Sequence, residues 1–382
     1  MVYYLSQYFL DISKGTGWED TLSFLRLFSY VTVRSAGAAV TALVFSWWLG
    51  PSVIAWLRRL KFGQQYKDKA EQAGAARSGS KAGTPSMGGI LIVTVMDFTA
   101  LLWAQWNTLL ALTLLSVIVL MGLGFYDDYA KITRQNNLGA ASHIKLWVQS
   151  ILAIFIAVYL ASVPHFSSLI SEVMVPVLKY PVLTGTIGLC VGLVITVLTI
   201  VGSSNAVNLT DGLDGLAIGC TLIVSFVFLV LTYLAGHAEL AKYLQIPHVR
   251  GAEELTIFCA SMIGAGLGFL WFNCHPAQVF MGDTGSLALG GALGIIAVLI
   301  HQPLVLVIAG GVFVAEAASV MLQTGYFKYT RRRYGVGRRI FLMAPLHHHF
   351  EKRGWHESQV VMRFYILSVL CAVVALSTLK IR

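Results

Sequence analysis

The sequence predicts an all-α, polytopic integral membrane protein, and three observations carry that prediction. Of 382 residues, 57% are hydrophobic and only 12% charged, with a mean hydropathy of +0.73, a composition outside the range of soluble globular domains. Apolar windows near the roughly 20 residues that cross a bilayer as helix fall at about 27–49, 86–104, 107–125, 146–163, 182–201, 213–235, 255–272, 285–300, 303–325 and 360–379. Of the 27 Lys and Arg, 18 lie in the connections after the first, third and ninth windows, against seven on the other side. The positive-inside rule places the crowded face in the cytoplasm and both termini outside. The net charge of +9, clustered beside spans, suits anionic lipid or a phosphorylated substrate rather than nucleic acid.

In chain order, residues 1–26 read as a short interfacial segment without the basic start, short apolar core and cleavage site of a removable signal peptide. Arg34, early in the first window, is expected to snorkel to the outer interface. The connection at about 50–85 is basic, then rich in Ala, Gly and Ser, and ends in Lys81-Ala-Gly-Thr84-Pro-Ser86-Met-Gly-Gly89. Lys81 supplies a point charge and Thr84 and Ser86 supply donors for a phosphate or sugar, although the same residues also make an ordinary helix-start turn. Asp97 is an intramembrane carboxylate with no partner evident in the sequence.

The third window ends in Gly124-Phe-Tyr-Asp127-Asp128-Tyr-Ala-Lys131, opening a loop at about 126–145. Neighbouring helical residues point about 100° apart, so one aspartate can face a cavity as base or metal ligand while the other pairs with Lys131. Around the loop at 202–212 runs Asn205-Ala-Val-Asn208-Leu-Thr-Asp211-Gly212-Leu213-Asp214-Gly215. Ionised aspartates cost about 2.5–3.5 kcal/mol each in lipid, so this run must line a protein cavity or face water. Thr210 or Asp211 can also cap the following helix, a role compatible with phosphate binding at its N-terminus.

The loop at 273–284 holds Asn273, Phe280, an aromatic able to stack on a base, and Asp283 in a Gly-flanked turn, which equally suits an N-cap. The ninth window carries Glu316 and Gln323 on one helical face. The loop at 326–358 contains a basic patch and then Met343-Ala-Pro-Leu-His347-His348-His349. Three contiguous histidines rarely converge on one ion, and they read as hydrogen-bond donors to a phosphate or sugar. The five cysteines show no CxxC spacing and read as apolar packers.

Asp127, Asp128, Asp211, Asp214 and Asp283, with Lys81, the asparagines and the histidines, thus reach one face from separate connections. Hard oxygen ligands suit Mg²⁺ or Mn²⁺ held together with substrate phosphates, and phosphoryl transfer to a lipid acceptor is the natural reaction class. The whole of 1–382 reads as a single transmembrane catalytic domain. A transporter is disfavoured, since neither an internal repeat nor paired interrupted helices are visible in the sequence.

The motifs at Lys81–Gly89, Asp127-Asp128-Tyr, Asn205–Ala217, Phe280-Met-Gly-Asp283-x-Gly-Ser and Met343–His349 closely resemble, in order and over nearly the whole chain, the phospho-N-acetylmuramoyl-pentapeptide transferase (lipid I synthase) family. This family lies within the polyprenyl-phosphate N-acetylhexosamine-1-phosphate transferase superfamily. The resemblance implies a multi-pass enzyme of the bacterial inner membrane with both termini periplasmic. It further implies transfer of phospho-MurNAc-pentapeptide from UDP-MurNAc-pentapeptide to undecaprenyl phosphate with Mg²⁺, release of UMP, contact with membrane lipids and a homodimer. By motif it implies Asp283 as principal metal ligand with Asp211 beside it, Asp127 as the base that deprotonates the lipid phosphate, and Asp128 and His348 among the catalytic residues. Lys81, Asn205, Asp211 and Phe280 would hold the nucleotide, and His348 with His347 and His349 the phosphate or sugar end. Asn208, Gly212, Leu213, Asp214, Asn273 and Gln323 complete the candidate substrate contacts. A UDP-GlcNAc:polyprenyl-phosphate GlcNAc-1-phosphate transferase is the alternative, and the Pro-Leu-His-His-His stretch favours the first reading.

Overall fold

The computed structural model describes residues 1–15, 18–60, 83–133 and 139–380. Its principal helices, all but α1 and α12 following the apolar windows, are α1 Val2–Ser13, α2 Val31–Arg59, α3 Gly89–Trp103, α4 Thr108–Thr133, α5 Ser142–Ser162, α6 Gly185–Thr210, α7 Leu216–Gly236, α8 Glu253–Asn273, α9 Gly282–Leu299, α10 Pro303–Ala309, α11 Gly311–Tyr334, α12 Leu346–Lys352 and α13 Glu357–Ser377. Among the described residues, eight helices are long and apolar enough to cross a membrane; α10 and α11 meet the same criterion only together and are bent by 84° at their junction, and α3 is a shorter apolar helix of 15 residues.

The centre of the bundle is α9, buried continuously from Thr284 to Leu299 and packed between α4 and α6. A helix apolar on every side belongs inside other helices rather than against lipid. Around it, α8 packs on α2 and α7. The outer faces of α2, α5, α6 and α13 expose large apolar side chains such as Trp48, Ile151, Leu198 and Val373, as lipid-facing surfaces must.

Four loop boundaries differ from the sequence expectation in the same direction. The loops expected from about 50, 126, 202 and 326 begin later, because the helices run on to Arg59, Thr133, Thr210 and Tyr334. A charged side chain ends an apolar window, but it leaves the helix's i→i−4 backbone bonds intact. Asp127, Asp128, Lys131, Asn205 and Asn208 are therefore carried on helix ends rather than on loops, and hold fixed directions. Pro51 likewise lies inside α2, where packing of a long apolar helix tolerates it. Neither Thr210 nor Asp211 caps α7: Thr210 Oγ1 donates back to Ala206 O at 2.8 Å, and the N-cap is Gly215.

Arg34 does not snorkel. It is 1% exposed and pairs bidentately with Glu254 of α8 at 2.7 and 2.8 Å, while Glu254 also accepts the Gln105 N–H at 2.7 Å. The pair ties α2, α8 and the α3–α4 turn together at the end of the bundle away from the clustered carboxylates. Removing one partner of such a buried pair costs about 3–5 kcal/mol.

Candidate active site

The first wall of the site is a seam of main chain. Gly88 N donates to Phe280 O and Gly89 N to Met281 O, each at 2.9 Å, and Phe280 N donates to Pro85 O at 2.8 Å. The segment before α3 thus runs against the residues that lead into α9. A Cβ at Gly89 would strike the backbone of Gly285, and one at Gly124 the backbone of Asp283, so α3 and α4 meet α9 with no side-chain layer between them. Ser86 is buried in this seam, close to Gly282. The Thr84 hydroxyl reaches only Ala277 O, at 3.5 Å. Lys81 lies outside the described residues.

On this seam α4 presents two aspartates with different work. Asp128 accepts the N–H groups of Asp283 and Thr284 at 3.2 and 3.0 Å and the Thr284 hydroxyl at 2.7 Å. It therefore caps α9, where a carboxylate meets the positive end of the helix dipole. Asp127 turns the other way: its Oδ1 accepts Ala140 N at 2.7 Å, and its Oδ2 faces Lys131 Nζ at 2.6 Å and Lys145 Nζ at 2.9 Å. The two carboxylates do divide, but not as expected: Lys131 pairs closely with Asp127, the residue four before it, and approaches Asp128, three before it, only at 3.7 Å, because Asp128 is taken up by the start of α9.

Asp283, in the first turn of α9 rather than at its cap, completes the cluster. Its Oδ2 lies 2.6 Å from Lys145 and 3.1 Å from Lys131, and its Oδ1 accepts Asn208 Nδ2 at 2.8 Å. Asp127, Asp128 and Asp283 each offer an oxygen within 4.8 Å of the others. Three hard carboxylate donors, with two ammoniums offsetting their charge, fit a divalent cation such as Mg²⁺. Asp128 is engaged by the α9 amides, so Asp283 and Asp127 would hold the ion.

Asp211 stands beside this group rather than in it. Burial pushes its carboxyl up to about 8, the charges of Asp283 and Asp128 push the same way, and a hydrogen bond from Gly282 N–H opposes them. Asn205 is fixed from below, donating to Gln149 Oε1 at 2.7 Å and to Val201 O at 2.8 Å, while Gln149 Nε2 holds Ser204 at 3.0 Å. Leu213 is buried and Phe280 half-buried.

Two expected contacts are brought elsewhere. Asp214 Oδ2 holds His275 Nδ1 and Ala277 N, both at 3.2 Å, while its N–H donates to Glu357 Oε1 at 3.0 Å. Asn273 accepts Gly215 N at 3.1 Å and donates to Val279 O at 2.8 Å. Both brace the turn at 211–215 from behind, so four of the five converging aspartates, not all five, share the cavity.

The histidines divide as well. His347 is fully buried, its Nδ1 3.3 Å from Glu316 Oε1, which also accepts the His347 backbone N–H at 3.1 Å. A Cβ at Gly212 would overlap its Nε2, so this imidazole backs the turn at 211–215 instead of facing solvent. Burial lowers its pKa from the ordinary value, with the neighbouring His348 adding to the effect and Glu316 opposing it. His348 Nδ1 pairs with Glu351 at 2.8 Å, and His349 Nδ1 accepts Leu342 N at 3.1 Å. Gln323 uses both ends of its amide on the backbone at Ile340 and Phe341; it shapes the returning chain.

Lys145 and Gln149 were missed as site residues. Their only signal was i, i+4 spacing at the start of an apolar window, which puts both on the face of α5 turned toward α6 and α9.

Residues 110–301 match the profile described as glycosyl transferase family 4, and residues 81–93 match phospho-N-acetylmuramoyl-pentapeptide-transferase signature 1. A phospho-N-acetylmuramoyl-pentapeptide-transferase of Methylacidiphilum infernorum is 48% identical over all of both chains. Proteins of the same name from Opitutus terrae and Solidesulfovibrio magneticus are each 49% identical, over 95% and 94% of this chain and 98% and 96% of theirs.

Proposed function

The chain belongs to the phospho-N-acetylmuramoyl-pentapeptide-transferase family, and from that premise we propose how its carboxylate cluster works. The enzyme transfers phospho-MurNAc-pentapeptide from UDP-MurNAc-pentapeptide to a polyprenyl phosphate, here taken as undecaprenyl phosphate, in a bacterial inner membrane. The GlcNAc-1-phosphate alternative has no support among these relatives.

The observation that carries the mechanism is the meeting of Asp127, Asp283, Lys131 and Lys145 at the ends of α4, α9 and α5. A phosphate oxygen of the lipid forms a bond to the sugar-linked phosphorus, the bond from that phosphorus to the bridging oxygen breaks, and UMP leaves with the electron pair. Lys131 and Lys145 neutralise charge on the phosphoryl oxygens, and fixed charges of this kind are the main resource of phosphoryl-transfer catalysts. Asp127 takes the proton a monoprotonated lipid phosphate still carries. Asp211 and Phe280 meet the nucleotide, Asn205 supports that wall through Gln149, and Asn208 fixes the carboxylate of Asp283. Asp283 with Asp127 would hold a Mg²⁺, which would supply Lewis-acid polarisation of the diphosphate. The active form is a homodimer with both termini periplasmic.

The direct test offers purified protein UDP-MurNAc-pentapeptide or UDP-GlcNAc with undecaprenyl phosphate and identifies the lipid product by mass. MurNAc-pentapeptide diphosphate lipid is expected, abolished by a chelator and restored by Mg²⁺ or Mn²⁺. Formation of GlcNAc diphosphate lipid alone would reverse the assignment.

A further inference from the structure

Beyond Tyr334 the chain reverses at Gly335 and runs back along α11. Three side chains hold it there. Thr330 Oγ1 accepts Arg338 N at 2.8 Å, Gln323 clamps Ile340 and Phe341 at 3.0 Å, and His349 takes Leu342 N at 3.1 Å. Between this returning strand and α12 opens a hollow of about 560 Å³ lined by Arg339, Ile340, Phe341, Leu342, His349 and Arg353. Both arginines are exposed. Among the described residues no carboxylate pairs with either, and the nearest acid in sequence, Glu351, is engaged by His348 at 2.8 Å. The hollow therefore holds two unpaired guanidiniums over a partly apolar floor.

Its position gives the hollow a use. On the short helix α12, His347 faces inward against the turn at 211–215, while His349, two residues on, borders the hollow. A donor whose sugar met His348 or His349 would bring its peptide toward this hollow, which His349 borders. A pentapeptide ends in a carboxylate, and paired guanidiniums recognise carboxylates through parallel N–H donors. The floor of Ile340, Phe341 and Leu342 accepts small apolar side chains.

We propose that this hollow is the subsite for the peptide part of the donor, with Arg339 and Arg353 binding its terminal carboxylate. The inference rests on the proposed function and deepens it. It sets the enzyme's preference for a peptidyl donor at a place separate from the cluster that transfers the phosphoryl group.

The test compares wild type with Arg339→Gln, Arg353→Gln and the double variant on UDP-MurNAc-pentapeptide, the same donor with an amidated C-terminus, and UDP-MurNAc without peptide. Each variant is expected to raise KM for the free-acid pentapeptide about tenfold, the scale of a lost charge-assisted pair, with kcat nearly unchanged. KM for UDP-MurNAc stays at the wild-type value, and amidation removes most of the difference between wild type and variants. Arg339→Lys, which keeps the charge, restores part of the affinity. Equal losses on all three donors, or losses that occur only in vesicles of anionic lipid and not in neutral detergent, would overturn the proposal, the latter marking a lipid-headgroup contact. A wild type that transfers neither MurNAc donor would overturn the parent reading; an active wild type with unaffected variants would overturn only this one.

Discussion

Lys145 Nζ lies 2.6 Å from Asp283 Oδ2 and 2.9 Å from Asp127 Oδ2, so one ammonium from α5 bridges carboxylates delivered by α9 and α4. That position between two hard oxygens is also where a divalent cation would draw its ligands. Lys145→Gln should lower kcat by about 10²–10³, the loss typical of one preorganised charge donor. It should also tighten Mn²⁺ binding by the substrate-free protein, read by electron paramagnetic resonance, because no ammonium then competes. Unchanged or weaker Mn²⁺ binding would show that the lysine and the ion do not share a place.

Asp127→Asn should reduce kcat by about 10²–10⁴ while UMP still binds. A phosphate monoester has its second pKa near 6, so the deficit should shrink as pH rises above neutral and the acceptor loses its proton unaided. A deficit constant from pH 6 to pH 9 would assign Asp127 to metal positioning alone.

The Asp211 carboxyl is raised to about 8 by burial and by Asp283 and Asp128, and in the metal-free protein it should be mostly protonated at pH 7. It ionises as pH rises through that value, adding a negative charge beside the phosphate site. UMP affinity measured by calorimetry without divalent cation should therefore fall above about pH 8. Asp211→Asn should match wild type at pH 6.5 and lose part of that fall. If the two pH profiles superimpose, Asp211 does not titrate next to the nucleotide.

How much of this was legible before the fold was known depends on where each residue's partners lie. The ten apolar stretches were readable because membrane crossing demands length and composition together. Asp127 and Asp283 stood out because each is a carboxylate at a span mouth and several such carboxylates fall on one predicted face, although each alone also suits a helix-end role. The braces did not: Asp214 looked equivalent to Asp211 until Glu357, 143 residues away, took its backbone N–H. Arg34 read as an interfacial cation because its partner, Glu254, is 220 residues distant. Long-range pairing of this kind leaves no trace in local pattern.

Gly212→Ala places a methyl group on the His347 Nε2, and the buried ring, held by Glu316, has nowhere to retreat. We expect about 1–3 kcal/mol of lost stability and a drop in turnover of about 10², the usual effect of a misplaced binding loop. Wild-type stability near Gly212 should also depend on pH. Since burial lowers the His347 pKa, the unfolded chain takes up a proton below about pH 6.5 that the folded chain refuses. Stability is then full above that pH and declines below it. Thermal unfolding in detergent at pH 7.5 and 5.5 should show a smaller acid loss in His347→Gln than in wild type.

The glycine seam at residues 89 and 124 makes one side of the cavity mechanically stiff. With backbone directly against backbone, no rotamer change can create room there, and sliding α9 sideways would force main-chain atoms into one another. Compliance must therefore sit on the opposite side, in the segment returning after α11, which single side-chain contacts from Thr330, Gln323 and His349 hold in place. Amide exchange should be slow across α4 and α9 and fast across 336–345. A substrate-like inhibitor gripping only the stiff side would bind a preformed surface and lose little entropy in doing so, whereas one reaching the compliant side would have to order it first.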